Sequence, residues 1–400
     1  MKLIVIGGGP VGLEMALAAI HDGWHVTVVE RGLVATNVRR WGHVQFFSPW
    51  SMNVSERGLA ELAAQGRSAP NPERFPTGAE YVAQYLHPLA ETIHARATLL
   101  EETEVRTIAR GNLLKGEAIG ADARRHAPFR LLVEHTSGEE AYLEADCVVD
   151  ASGTYGNPNH LGPGGLPARG ERALAHRIAY VIPDVLGVDR SVYEGRRTLV
   201  LGAGYSAITT IALLLELARF HSGTELVWVT RRASGLYATI ENDPLPERDR
   251  LARLGNELAA GMSDVDFIGE SHVEAIDETA DGAVRVVLAV ADGSQRVEVV
   301  DNLVANVGYR PDVDLYRELQ VHQCYASEGP MKLAAALLGA SGADCMAQPD
   351  AGAEALANPE PGFFIIGSKS YGRNSRFLLR VGLEQVEQVL AAARVYRRFE

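Results

Sequence analysis

The chain has 400 residues, 46% hydrophobic and 22% charged, enough for two or three domains with a large core. Its net charge of −13 argues against a nucleic-acid groove, though a local site for an anionic ligand stays open. The three cysteines, Cys147, Cys324 and Cys345, show no C-x-x-C spacing, so neither a disulfide framework nor a zinc site is indicated and a reducing cytoplasm is expected. Lys2 precedes an apolar run, but the run stops after four residues at Gly-Gly-Gly-Pro, too short for a signal peptide. No segment approaches the roughly 18 apolar residues that would read as a membrane span.

Met1 to Glu30 reads as strand, glycine turn, helix, strand and acidic residue. Leu3 to Ile6 has the β-branched, fully apolar character of a buried parallel strand. Gly7, Gly9 and Gly12 form G-x-G-x-x-G: a tight turn, a close approach for a pyrophosphate, and close packing of helix on strand. The helix that follows turns unpaired N–H groups and the positive end of its dipole toward that phosphate. Val26 to Val29 is the second strand, and Glu30 ends it where a carboxylate can accept from ribose hydroxyls. This is a dinucleotide site.

The stretch Arg39 to Asn53 has no clean period and carries Trp41, Phe46, Phe47 and Trp50. Two readings stand: the rings cap the core, or they wall a flat cofactor or its substrate. His43 and Asn53 in this stretch are the candidate catalytic side chains, able to hydrogen-bond a cofactor or a substrate. Pro70 to Pro76 is a break, after which Thr77 and Glu80 have capping-box spacing. The helix Gly78 to His94 is expected to kink or end at Pro88. Ala97 to Ala109, Phe129 to His135 and Leu143 to Asp150 read as strands, the last delivering the small turn Ala151-Ser152-Gly153. Residues 154 to 170 are dense in Gly and Pro, as a linker would be.

The opening pattern then returns. Thr198 to Leu201 is a strand, and Gly202-Ala203-Gly204-Tyr205-Ser206-Ala207 is G-x-G-x-x-A. A helix to about Arg219 and the strand Glu225 to Val229 follow. The second copy ends in Thr230-Arg231-Arg232 instead of an acid, which suits a 2′-phosphate. One acid-ended site and one arginine-ended site imply two different dinucleotides, with FAD and NADPH the natural pair. Val265 to Asn306 reads as strands, residues 332–357 as an Ala-rich, poorly specified stretch, Gly362 to Gly367 as a buried strand, and Arg376 to Tyr396 as an amphipathic helix that Ser375 could cap.

Together the Gly-Gly-Gly-Pro-Val-Gly turn with Glu30, the Asp-Ala-Ser-Gly turn at 150–153, the Gly-Ala-Gly-Tyr-Ser-Ala turn with Thr-Arg-Arg, Asn306 to Asp312, and the terminal Gly-Phe-Phe-Ile-Ile-Gly-Ser run resemble the two-dinucleotide-binding-domain flavoproteins. Within these the chain is most similar to the flavin-containing and N-hydroxylating monooxygenases. It also resembles flavoreductases of the thioredoxin reductase and bacillithiol disulfide reductase type, without their redox cysteines: Val11 stands where a cysteine would be.

The resemblance implies an α/β protein of two Rossmann-like domains, the NADPH domain (166–307) inserted into a discontinuous FAD domain (1–165 and 308–400). It implies FAD contacts at Gly7, Gly9, Pro10, Gly12, Glu30, Arg31, Trp41, Val105, Ser152, Gly153, Gly367 and Ser368. It implies NADPH contacts at Gly202, Gly204, Tyr205, Ser206, Arg231 and Arg232. His176 and Tyr180 resemble the H-x-x-x-aromatic part of a monooxygenase fingerprint, although Gly170 lies six residues ahead of His176 instead of four. The usual terminal Gly-Asp is Gly367-Ser368 here.

The implied activity is oxygenation of a small molecule at N or S, or beside a ketone, through a C4a-(hydro)peroxyflavin. The alternatives are a reductase or oxidase passing electrons to a quinone, a small disulfide, a redox protein or O2, and a redox-sensing flavoprotein of low turnover. The expected partner is a small-molecule substrate, with no nucleic acid, no membrane and no metal. A homodimer is one candidate assembly.

Overall fold

The structure is a computed structural model and describes residues 1–261, 265–339, 346 and 352–395. Cys345, the end of the last expected helix at Tyr396 and part of the 332–357 stretch lie outside the described residues. The chain forms two compact units, Met1–Asn157 with Arg310–Glu400, and Pro158–Tyr309. The second unit is therefore inserted in sequence into the first.

The first unit holds a five-stranded parallel sheet, in the order Phe363–Ile365, Cys147–Asp150, Lys2–Ile6, His25–Val29, Thr98–Leu100. Lys2–Ile6 is central, and Leu3, Ile4, Val5 and Ile6 are each at most 5% exposed, as a strand covered on both faces requires. A three-stranded antiparallel sheet, Thr103–Arg110, Phe129–His135 and Glu140–Ala145, lies in the chain between the third strand and Cys147–Asp150. The second unit repeats this plan. Its parallel order is Asp266–Ile268, Glu225–Val229, Arg197–Leu201, Asn302–Ala305, Ile178–Ala179. Its antiparallel sheet, Ser271–Glu278, Val284–Val290 and Gln295–Val300, also precedes the returning strand. The sequence repeat thus extends to topology. This is the α/β, doubly Rossmann-like fold expected, with one unit interrupting the other.

Several element boundaries differ from expectation, each for a local reason. The stretch Ala97 to Ala109 divides into Thr98–Leu100 and Thr103–Arg110, because Glu102 adopts φ +51° and sends the chain from one sheet to the other. Leu143 to Asp150 divides similarly at Asp146, whose carboxylate accepts from the Lys2 N–H at 2.7 Å. The Thr77–Glu80 capping box forms, with Oε2 of Glu80 2.9 Å from the Thr77 N–H. Pro88 neither ends nor sharply breaks the helix it begins. Instead Gly78–Tyr81 passes through a π-helical stretch, Val82–Leu86, into His87–Arg96. The wider turn sits where the proline lacks an N–H and its ring would strike a preceding carbonyl. Two helices carried no clear sequence warning: Glu56–Ala64, capped by the Ser55 hydroxyl, and Pro246–Ala259. The last helix is Leu379–Ala393, with Leu378 at its N-cap, so Ser375 does not cap it.

Among the described residues, several buried charged side chains share partners. Glu360 accepts from Arg124 Nη2 at 2.7 Å and from the Gln320 N–H at 2.8 Å, while Arg110 lies 3.6 Å away and stacks on Phe129. One carboxylate thereby ties residues from 110–124, 320 and 360 together. On the other side of the parallel sheet, Glu14 of the helix Pro10–His21 is 1% exposed and accepts from the Tyr85 and Ser55 hydroxyls.

Burial holds the Glu14 carboxyl above its ordinary value of 4.5, with the Tyr85 and Ser55 bonds pulling the other way. The folded state therefore binds this proton more tightly than the unfolded state. Its contribution is fully favourable below pH 4.5 and is lost as pH rises through the folded pKa. Glu14→Gln should raise Tm relative to wild type by an amount that grows with pH from acidic to neutral. A Tm difference independent of pH would refute this.

Candidate functional site

Both glycine turns stand at the C-terminal edge of a parallel sheet, where open α/β sheets bind ligands. In the first unit Gly7 has φ +102°, and a Cβ there would lie 2.8 Å from the carbonyl oxygen of Ala151. In the second unit Gly202 has φ +127°, and a Cβ there would overlap the carbonyl oxygen of Asn306. The strand that returns beside the first strand thus delivers a carbonyl into the space each glycine leaves empty. A Cβ on Gly12 would in turn overlap the Gly7 carbonyl oxygen, so the helix can approach only with glycine there. Gly9 and Gly204 have open space where a Cβ would be. Each is the N-cap of its helix, Pro10–His21 or Tyr205–Phe220, with Pro10, or Tyr205 and Ser206, in the first turn. A pyrophosphate could reach either backbone.

The Glu30 carboxylate is fixed from two sides, by the Gly8 N–H at 2.6 Å and the Gly32 N–H at 2.9 Å. Its remaining lone pairs are free for ribose hydroxyls. Arg31 is exposed; its Nη2 would lie 2.6 Å from a Cβ on Gly156, and its Nη1 is 3.5 Å from Glu104. Val105 packs its side chain into the core with Ile6 and Val29, so only its main chain could meet a cofactor.

The turns 151–153 and 367–369 are brought together. A Cβ on Gly153 would lie 3.4 Å from the Ser368 hydroxyl, and one on Gly367 3.5 Å from Val11. Beneath them is a buried ion pair that sequence reasoning missed. Lys369 Nζ lies 2.7 Å from Asp150 and 3.1 Å from the Ser152 hydroxyl, and both charged side chains are fully buried. Ser152 donates to Asp150 Oδ1 at 2.6 Å, and the ammonium faces the Tyr316 ring. Gln385 of the last helix accepts from the Gly367 N–H at 2.7 Å and donates to Ser370. The only sequence signal for Lys369 was a lysine directly after a buried Phe-Phe-Ile-Ile-Gly-Ser run.

The aromatic stretch does cap the core. Trp50 is 1% exposed; Trp41 and Phe46 pack on the same cluster, and Tyr81 lies between Phe46 and Trp50 with ring centroids 5.1 and 5.6 Å away. Asn53 is a correction. Its amide accepts from Ser48 and donates to the Ser48 and Pro49 carbonyls, and the residue is 1% exposed, so it fixes the turn and does not face a ligand site. His43 is different. Its Nε2, together with the indole nitrogens of Trp41 and Trp50, is buried with no hydrogen-bond partner among the described residues. These three nitrogens have no surface open to a ligand in this structure and are left unsatisfied inside the packed loop.

In the second unit Trp228 donates to the Gly202 carbonyl at 2.8 Å and Thr210 to the Asn306 side chain at 2.7 Å. These bonds anchor the glycine turn and the crossing turn. Arg231 and Arg232 are exposed, and Arg232 donates to the Leu236 carbonyl at 2.9 Å. His176 is exposed on a 3-10 turn, whereas the Tyr180 hydroxyl donates to buried Glu171. Burial pushes the Cys147 thiol up to about 12, which leaves it inert.

Residues 4–119 match the model of the family described as pyridine nucleotide-disulphide oxidoreductase. Comparison with curated protein sequences found no match. Among solved structures, the bacillithiol disulfide reductase of Bacillus cereus is 20% identical, with all of both chains covered and a TM-score of 0.67. The ornithine N-hydroxylase of Kutzneria sp. 744, solved with reduced FAD, NADP+ and L-ornithine, is 17% identical, with 99% of both chains covered and a TM-score of 0.65. The ornithine hydroxylase of Pseudomonas aeruginosa is 14% identical, covering 100% of this chain and 99% of that one, with a TM-score of 0.62. These likenesses show the fold, that of the two-domain flavoproteins.

The Lys369–Asp150 pair should behave as a unit. Lys369→Met leaves a buried carboxylate unpaired and should cost about 3–5 kcal/mol of stability. Adding Asp150→Asn should recover a large part of that loss in denaturant melts. A double variant no more stable than Lys369→Met would show that the two side chains are not coupled.

Proposed function

We propose that the chain is an FAD- and NADPH-dependent monooxygenase acting on a small molecule at a nitrogen or sulfur, or beside a ketone. FAD takes the acid-ended turn of the first unit, with Glu30 on the adenosine ribose. NADPH takes the arginine-ended turn of the second, with Arg231 and Arg232 on its 2′-phosphate. When bound, the flavin supplies hydride acceptance from NADPH and reaction with oxygen.

The observation that carries the choice of oxygen transfer over disulfide reduction is Val11. Its methyl groups lie against Gly367 and Gly382, filling the place in the first glycine turn where a thiol-exchanging enzyme of this fold would carry cysteine. Dithiol exchange needs a thiolate at the flavin. Trp41 and Phe46, which cap the core but stay partly exposed, supply an apolar wall, which oxygen transfer needs to keep water from the reacting centre.

One observation favours a reductase instead. The Cys324 thiol is held below its ordinary value by the Ser327 hydroxyl and by the main chain of the same turn, as an exchanging thiol would be, but the residue is 4% exposed and would have to open to reach a disulfide. The two readings separate in one experiment. Purified protein is reduced with NADPH without oxygen, then given oxygen labelled with oxygen-18 and a panel of primary amines, thioethers and ketones. Label in an organic product, with Cys324→Ser unchanged, is the expected result. NADPH oxidation that depends on an added disulfide and is lost in Cys324→Ser would replace the monooxygenase with the reductase.

A further inference from the structure

Between the arginine pair and the helix Pro246–Ala259 the chain folds back on the second glycine turn. Arg232 begins this segment; the Thr230 hydroxyl donates to its carbonyl, and its guanidinium donates to the Leu236 carbonyl at 2.9 Å. Tyr237 comes next, 6% exposed, with its hydroxyl donating to the Gly204 carbonyl at 3.2 Å and its ring 5.6 Å from that of Tyr205. The helix is shaped to receive it. Asn256 accepts from the Tyr237 N–H and donates to the Tyr237 carbonyl, at 3.2 and 2.9 Å, and a Cβ on Gly255 would strike the tyrosine ring. The far end of the segment is tied by a buried pair, Asp243 to Arg248 at 2.6 Å.

We infer that Tyr237 is a latch that couples reading of the 2′-phosphate to the pyrophosphate turn, and so sets the preference for NADPH over NADH. The inference rests on the NADPH assignment above. One hydrogen bond from Arg232 to Leu236 places the guanidinium by reference to the residue beside the latch. One hydrogen bond from Tyr237 places that residue by reference to Gly204, the N-cap of the helix that receives the pyrophosphate. The chain between the two phosphate-reading points is therefore pinned at both. Burial, with Tyr205 alongside, raises the phenol's pKa, so it stays protonated and able to donate at neutral pH. Tyr237 is a positioning residue. It acts on the cofactor through Arg232 and the glycine turn, and a guanidinium already held in place loses less entropy on meeting a phosphate.

The test is equilibrium binding of NADP+ and NAD+ to the purified full chain by calorimetry, which requires no turnover. Tyr237→Phe removes only the hydroxyl. It should weaken NADP+ by about threefold to tenfold, the worth of one hydrogen bond, while changing NAD+ by less than twofold. Asn256→Ala frees the same segment from its other side and should lower the NADP+/NAD+ ratio in the same direction. Thermal melts accompany both variants. If the ratio stays at the wild-type value in both, or if both dinucleotides weaken equally, the latch does not couple the two points and the inference falls alone. If wild type itself binds NAD+ as tightly as NADP+, the NADPH assignment falls and takes the latch with it.

Discussion

The structure depends on one steric fact used twice. In each unit a carbonyl from the returning strand, Ala151 or Asn306, occupies the volume that a side chain on the first glycine would need. That contact fixes how far the returning strand can run before it turns, and therefore where Ser152 and Gly153, or Val307 and Gly308, come to lie. It also explains why the two small-residue turns are legible as motifs although they are remote in sequence from the glycines they meet. Each is one half of a contact whose other half is a missing Cβ.

Around this shared contact the units are stabilised differently. The first unit buries charge beneath its turns, with Lys369 bridging Asp150 and Ser152. The second uses neutral donors, Trp228 on Gly202 and Thr210 on Asn306. A buried ion pair is seldom a net source of stability compared with well-packed apolar groups, so its value here is geometric. The pair joins residues more than two hundred positions apart, one on each turn at the edge of the sheet. Ser368 carries no charge, and the adjoining lysine is paired with Asp150.

What could be read from sequence follows from the range of the interaction that decides it. The glycine turns, Glu30, the arginine pair and the Thr77–Glu80 cap are settled by neighbours within a few residues, and each was visible as a pattern. The strand ends were not. Glu102 turns the chain between two sheets with a backbone conformation that its side chain does not advertise. Pro88 looked like a helix stop because the remedy, a wider turn just before it, leaves no mark in the residues that form it. Asn53 and His43 were indistinguishable as polar loop residues. Only the fold reveals that the first is buried and bonded within its own turn, and that the second has a buried nitrogen with no partner among the described residues. Tyr237 was invisible for the same reason, since its partners are a main-chain carbonyl, a glycine notch and an asparagine on a helix that showed no clear signature.

Duplication of one plan also constrains how the two sites can differ. The glycine contact, the helix N-terminus and the returning turn are common to both, so they can provide only what both ligands share, a place for a pyrophosphate. Discrimination must come from the residues after the second strand, which are free of that contact. In the first unit this is a single carboxylate held by two main-chain N–H groups, rigid because it is short and its donors belong to the turn itself. In the second it is a pair of long arginine side chains, whose reach makes them poor discriminators unless something restrains them. A long cation needs a built support where a short anion does not. On the proposed reading of the arginine pair, the fold-back segment, Tyr237 and the glycine-notched helix after the arginine-ended strand would be that support, whereas Glu30 is held by the main chain of its own turn.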